Sequence, residues 1–277
     1  MKVKIVTDSS ADLLELPGVP FESVPLKIIT AEKEYIDDPS LNVERMVEDL
    51  SVYHGRSSTS CPNQKEWITA FGDAQQVFCV TITSALSGSY NAACAAKEEY
   101  EEQHPDRRVC VIDSLSAGPE LVLITEKLKA LIVEGKSFEA ICSAIRQYQK
   151  KTKLLFMLES MQNLANNGRV SNLTAKFAGI LNIRIVGKAS DIGTLEPMDK
   201  PRGVKKTLAA ITQRLMDMGY FGGKVQIAHC FNSDFAEEIK HFILQHFPNA
   251  VVSIHKTLGL CSYYAEKGGV LVGFETE

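Results

Sequence analysis

The sequence predicts an α/β protein of two α/β domains, on three observations. Apolar, β-branched runs of strand length alternate with longer stretches of helical period, the rhythm of βα units around parallel sheets. The 277 residues, at roughly 150 per domain, suit two cores. The pattern also breaks near residue 151, where two consecutive helical stretches end in the basic run Lys150, Lys151, Lys153. The expected domains are therefore 1–151 and 152–277. No Ser/Gly-rich linker separates them, so the halves are expected to pack directly, with a site at their junction.

Taken in order, the first half offers strands at 2–8, 24–29, 76–83 and 107–113, and the second at 153–159, 183–189, 224–230, 250–256 and 269–275. Helical segments lie between them, NQKEWITAF at 63–71 and the two stretches 119–135 and 138–151 among them. Leu208, Ile211, Leu215 and Met218 recur every three or four residues, as do Phe235, Ile239, Phe242, Ile243 and Phe247. Each set forms one apolar helical stripe and is expected in a core. Gly168 suits a left-handed position closing one helix, and Ser171 an N-cap opening the next.

Composition excludes several classes. With 45% hydrophobic and 8% aromatic residues the chain is not disordered. Thirty basic against 34 acidic residues give a net charge of −4 without a long block of either sign, so no nucleic-acid partner is expected. MKVKIVTDSS meets Asp8 too early for a signal peptide. No apolar run reaches the roughly 18 residues of a membrane span. The seven cysteines are scattered and show no Cys-x-x-Cys spacing, which fits reduced thiols in a cytoplasm and no metal centre.

Hydroxyl residues gather where predicted strands end and helices begin: Thr7-Asp8-Ser9-Ser10, Ser57-Ser58-Thr59-Ser60-Cys61-Pro62, Thr83-Ser84-Ala85-Leu86-Ser87-Gly88-Ser89 and Asp113-Ser114-Leu115-Ser116-Ala117-Gly118. N-capping explains any one cluster alone. Four at one sheet edge point instead to a polar, uncharged, donor-rich crevice for a carboxylate or phosphate. Arg169, which no cap requires, is a candidate to hold an acid group.

Catalytic and metal motifs fail on inspection. Ala85 stands where Gly-x-Ser-x-Gly needs its first glycine. Met218 and Val225 occupy P-loop positions that require Gly and Ser or Thr. His241 and His246 are five apart, not the four that aligns two ligands on a helix. His229, after a strand, is a runner-up acid-base group, and Cys61 reads as a small core residue more readily than as a thiolate.

Read as a set, these segments resemble the DegV family of bacterial fatty-acid-binding proteins, which includes the lipid-carrying subunit of fatty acid kinase. The marks are IVTDSSADL at 5–13, VPLKI followed by EYIDD, TSCP at 59–62, SALSGSYNAA at 84–93, VIDS at 111–114, LANNGRVSNL at 164–173 and LNIRIV at 181–186. The resemblance implies an N-terminal domain with a mainly parallel sheet, a C-terminal α/β sandwich, and a fatty acid at the junction with its tail buried. It implies Thr59 and Ser87 as carboxylate ligands, Ser60 and the backbone at Gly88 in support, Arg169 near the headgroup, and Asp8, Ser9 and Ser114 as structural support. It also implies a carrier that presents its ligand to a fatty acid kinase, with no catalytic residue, metal or cofactor. A His-x-Gly-Pro-Gly stretch common in the family is replaced here by YYAEKGGVLVGF. The competing expectation is an enzyme, a phosphotransferase or Ser-hydrolase, using the same anion site with His229.

Overall fold

The computed structural model describes residues 2–170 and 182–277; Ser171 and the segment joining the GRV and NIRIV marks lie outside them. The N-terminal half is wound about a four-stranded parallel sheet, order β2-β1-β6-β7, formed by β1 (Val3–Asp8), β2 (Phe21–Val24), β6 (Gln76–Thr81) and β7 (Arg108–Asp113). Its strands alternate between two apolar faces. Ile5, Phe78, Val80 and Ile112 pack on α4 (Pro119–Val133) and α5 (Phe138–Tyr148). Val6, Val77, Cys79 and Val109 pack on α2 (Gln64–Phe71) and α3 (Ser89–Gln103). Burial on both sides is why these strands read as continuous apolar runs.

A small antiparallel sheet, order β4-β3-β5, lies beside it: β3 (Lys27–Ile29), β4 (Glu34–Ile36) and β5 (Ser58–Ser60). The expected strand 24–29 is thus two strands of different sheets, broken at Pro25, whose missing N–H interrupts a ladder. The hydroxyl run before α2 is a strand too, not the helix cap. Asn63 caps α2, accepting from the Lys65 and Glu66 amides while the Glu66 carboxylate accepts from the Asn63 N–H, a capping box.

The second half holds a six-stranded sheet, order β10-β9-β8-β13-β11-β12. Its strands are β8 (Thr152–Leu158), β9 (Ile185–Ala189), β10 (Leu195–Asp199), β11 (Tyr220–His229), β12 (Val251–Lys256) and β13 (Val270–Thr276). Only β11 and β12 pair in parallel; the other neighbours are antiparallel. The parallel pattern expected from the alternation of elements is therefore corrected here: β9 and β10 form a hairpin, and β13 enters between β8 and β11. One face of β8, carrying Leu155 and Met157, packs under α7 (Val204–Asp217) and α8 (Ser233–His246), whose buried residues include the predicted Ile211, Leu215, Phe235, Ile239 and Ile243. The other face, carrying Leu154, Phe156 and Leu158, turns toward the first half.

Helix α4 joins the two halves. It packs on β1 and β6 as well as on β8, β11 and β13. At the crossing with β13 a Cβ on Gly273 would lie 2.6 Å from the Glu120 amide nitrogen, so the bare glycine sets the approach. Among the described residues no helix is long and apolar enough to cross a membrane.

Candidate functional site

The carboxyl ends of β1, β6 and β7 lie side by side, the edge at which open α/β sheets bind ligands. Asp8 closes β1 and is fully buried. Its carboxylate accepts from the Ser10 hydroxyl, from the Ile82 amide at 3.0 Å and from the Ser89 hydroxyl at 2.6 Å, tying the ends of two strands to the start of α3. The Ser9 hydroxyl accepts from the Leu26 amide at 3.0 Å, and that of Ser114 bridges to the Ser116 carbonyl and amide. All three hold loops, and none lines the cavity described next.

That cavity lies between the two halves and is lined almost wholly by apolar groups, as small-molecule sites mostly are. Its floor is the second sheet's inner face: Leu154, Phe156 and Leu158 of β8, Leu195 of β10 and Leu271 of β13. The opposite wall is Leu26, Ile82, Leu86 and Ala117 from the strand-end loops. Helix α6 (Gln162–Asn166) adds Leu164, and α9 (Gly259–Ala265) adds Leu260, Cys261, Tyr264 and Ala265.

Thr59, Ser87 and Arg169 all line this cavity, although 110 residues separate the first from the last. The Thr59 hydroxyl pairs with the Tyr264 hydroxyl at 2.7 Å. The Ser87 hydroxyl accepts from the Ser89 amide at 3.3 Å, in the first turn of α3, where N–H groups and the helix dipole favour an anion. Arg169 follows Gly168, whose φ of 73° closes α6 as expected; its Nε donates to the Leu86 carbonyl at 3.1 Å and a terminal nitrogen donates to the Asn167 carbonyl, laying the guanidinium across the Ser87 loop.

Two predicted neighbours sit elsewhere. Ser60 does not line the cavity; its hydroxyl donates to the Cys61 carbonyl at 3.3 Å, because successive strand residues face opposite ways and Thr59 takes the inner side. Gly88, also outside the lining, has φ −73°, and a Cβ there would meet Cys61 Sγ at 3.3 Å: its bareness admits the thiol. Cys61 packs with Leu26, Ile82 and Leu260. His229 opens on a separate cavity with Asn42, Lys256 and Thr257, its Nδ1 accepting from the Asn232 amide at 3.2 Å; it does not share the cavity of Ser87.

Behind the hydroxyl clusters stand carboxyl groups that also hold loops. Asp12 accepts from the Leu258 amide at 2.8 Å, and Asp37 from the Gly259 and Leu260 amides at 2.6 and 2.8 Å. Two carboxyl groups of the first half thereby hold the start of α9, a helix of the second. Burial raises the carboxyl pKa of Asp8 and Asp37, and that of Asp12 to about 8. Reasoning from sequence missed these roles and the tyrosine pair Tyr263 and Tyr264. Asp37 was visible only as part of EYIDD, and the tyrosines only as a doublet in a segment otherwise unlike the expected motif.

The family model described as "Uncharacterised protein, DegV family" matches residues 2–277. A DegV domain-containing protein of Streptococcus pneumoniae is 45% identical over 281 residues, covering all of both chains. A DegV family protein of Eubacterium eligens, solved loaded with heptadecanoic acid, superposes with a TM-score of 0.98 at 46% identity, over 99% of this chain and 100% of that one. The S. pneumoniae Fatty Acid Kinase (Fak) B3 protein, solved loaded with linoleic acid, gives 0.98 at 45% identity over 100% of both.

Proposed function

We propose that this chain, which belongs to the DegV family, binds a long-chain fatty acid and presents its carboxyl end to a fatty acid kinase. The observation that carries this reading is the leucine-lined cavity whose lining also takes in Thr59, Ser87 and Arg169. About 0.8 kcal/mol per buried methylene gives roughly 12 kcal/mol as an upper bound for some 15 of them, enough for tight binding after ordering costs. The tail supplies affinity; Thr59, Ser87 and Arg169 fix the carboxylate through dipoles and charge. Asp8, Ser9 and Ser114 hold the loops beneath. Such a site leaves its ligand unreacted, so the chain acts as a carrier in the cytoplasm, without a catalytic group, metal or cofactor of its own. The division at 151/152 belongs to the same reading, with α4 the shared wall between lobes.

Organic extraction of the purified protein followed by mass spectrometry tests it. We expect long-chain fatty acid at close to one per chain, and uptake of added oleic acid by the delipidated protein. An empty extract together with no uptake contradicts the reading.

A further inference from the structure

Thr59 can serve an anion only if its single hydroxyl proton points at it. A carboxylate is acceptor-only, whereas a threonine hydroxyl has one proton and two lone pairs. Thr59 already shares a 2.7 Å hydrogen bond with the Tyr264 hydroxyl, and that bond has two senses. If Thr59 donates to Tyr264, it turns lone pairs toward the cavity and repels a carboxylate. If Tyr264 donates to Thr59, the threonine proton is released toward the cavity. The phenol is the more acidic partner, and donation into a hydroxyl strengthens that hydroxyl's own donation.

We propose that Tyr264 is a positioning residue that fixes Thr59 as a donor and so makes the cavity selective for anionic headgroups over neutral ones; this rests on the fatty-acid-binding reading above. Three further observations support it. Tyr264 lines the same cavity as Thr59 and Arg169, so the relay ends at the ligand. Its ring stacks edge-on against Tyr263 at 4.8 Å, and the Tyr263 hydroxyl pairs with the Ser57 hydroxyl at 2.7 Å and accepts from the Asn167 side chain at 2.9 Å. Ser57, just before β5, and Thr59 within it thus meet two consecutive tyrosines of α9, which sets where the Tyr264 hydroxyl sits. Burial raises the phenol pKa, so the group stays protonated and able to donate at neutral pH.

Dissociation constants of delipidated protein for oleic acid and for oleyl alcohol, an equal chain with a neutral head, test this in the wild type, Tyr264→Phe, Thr59→Val and the double variant. We expect the wild type to prefer the acid. Tyr264→Phe should weaken the acid about tenfold and the alcohol by no more than about twofold. The double variant should bind the acid no more weakly than Thr59→Val alone. Equal losses for acid and alcohol, an unchanged acid constant, or additive losses in the double variant would overturn the relay while leaving fatty acid binding intact. A wild type that binds neither ligand would overturn the underlying reading.

Discussion

Asp12 carries a buried carboxyl whose pKa desolvation raises from 3.8 to about 8, so at neutral pH it is mostly protonated. The sign of its effect on stability follows. The folded state holds this proton more tightly than the unfolded chain, so stability is fully present below about pH 4 and falls as pH rises toward 8, by up to about 1.4 kcal/mol per pH unit. Asn at this position keeps an oxygen for the Leu258 amide and cannot ionise. We expect Asp12→Asn to lose less stability between pH 5 and 8 than the wild type in denaturant titrations; parallel losses would place the buried charge elsewhere. The polar part of the cavity lining was partly legible because Thr59, Ser87 and Arg169 are polar where packing asks for nothing polar. Ser60 was not separable from Thr59, since four hydroxyl residues in a row, 57–60, show no alternation from which to read a strand. Asp12 was invisible because its burial depends on α9, which lies about 250 positions away.

Among the elements, β8 was the most readable and its role the least. Its last five residues, Leu154 to Leu158, are all apolar because both faces are covered there, one by α7 and α8 and the other by the cavity lining. Such a run announces a buried strand but not what lies on either side, and it reads the same in a parallel or an antiparallel sheet. That is why the largely antiparallel order of the second sheet was missed. β4 and β10, lying at sheet edges, offered too little apolar alternation to be read. The element contact most sensitive to a single atom is α4 on β13. Gly273→Val would drive a side chain into the Glu120 amide and the Pro119 carbonyl, backbone atoms that cannot rotate away. We expect a cost of about 1–3 kcal/mol or more from overpacking, read as a fall in melting temperature, together with loss of fatty acid uptake as the two halves part.

At the scale of the molecule, the cavity belongs to no segment of the sequence: its lining runs from Leu26 to Leu271 and draws on the six-stranded sheet, β5, the strand-end loops of the first half, α6 and α9. The two-domain expectation pointed to a junction, but the cavity's apolar lining emerges only from assembly. A ligand that fills such a junction stabilises the whole fold by linkage, about 2.7 kcal/mol at a hundredfold excess over its dissociation constant. For a chain of this length that corresponds to a rise of several degrees. We expect added oleic acid to raise the melting temperature of delipidated protein in proportion to the logarithm of its concentration, and oleyl alcohol to do so less.

The most direct test of the central claim is the dissociation constant of oleic acid for the Thr59→Val/Ser87→Ala variant beside the wild type. With two donors to a buried carboxylate removed, we expect binding weaker by about a hundredfold or more, in a delipidated variant that still unfolds in one cooperative transition. Binding within threefold of the wild type, on the order of ordinary surface substitutions, would contradict the assignment of the carboxylate to these hydroxyls.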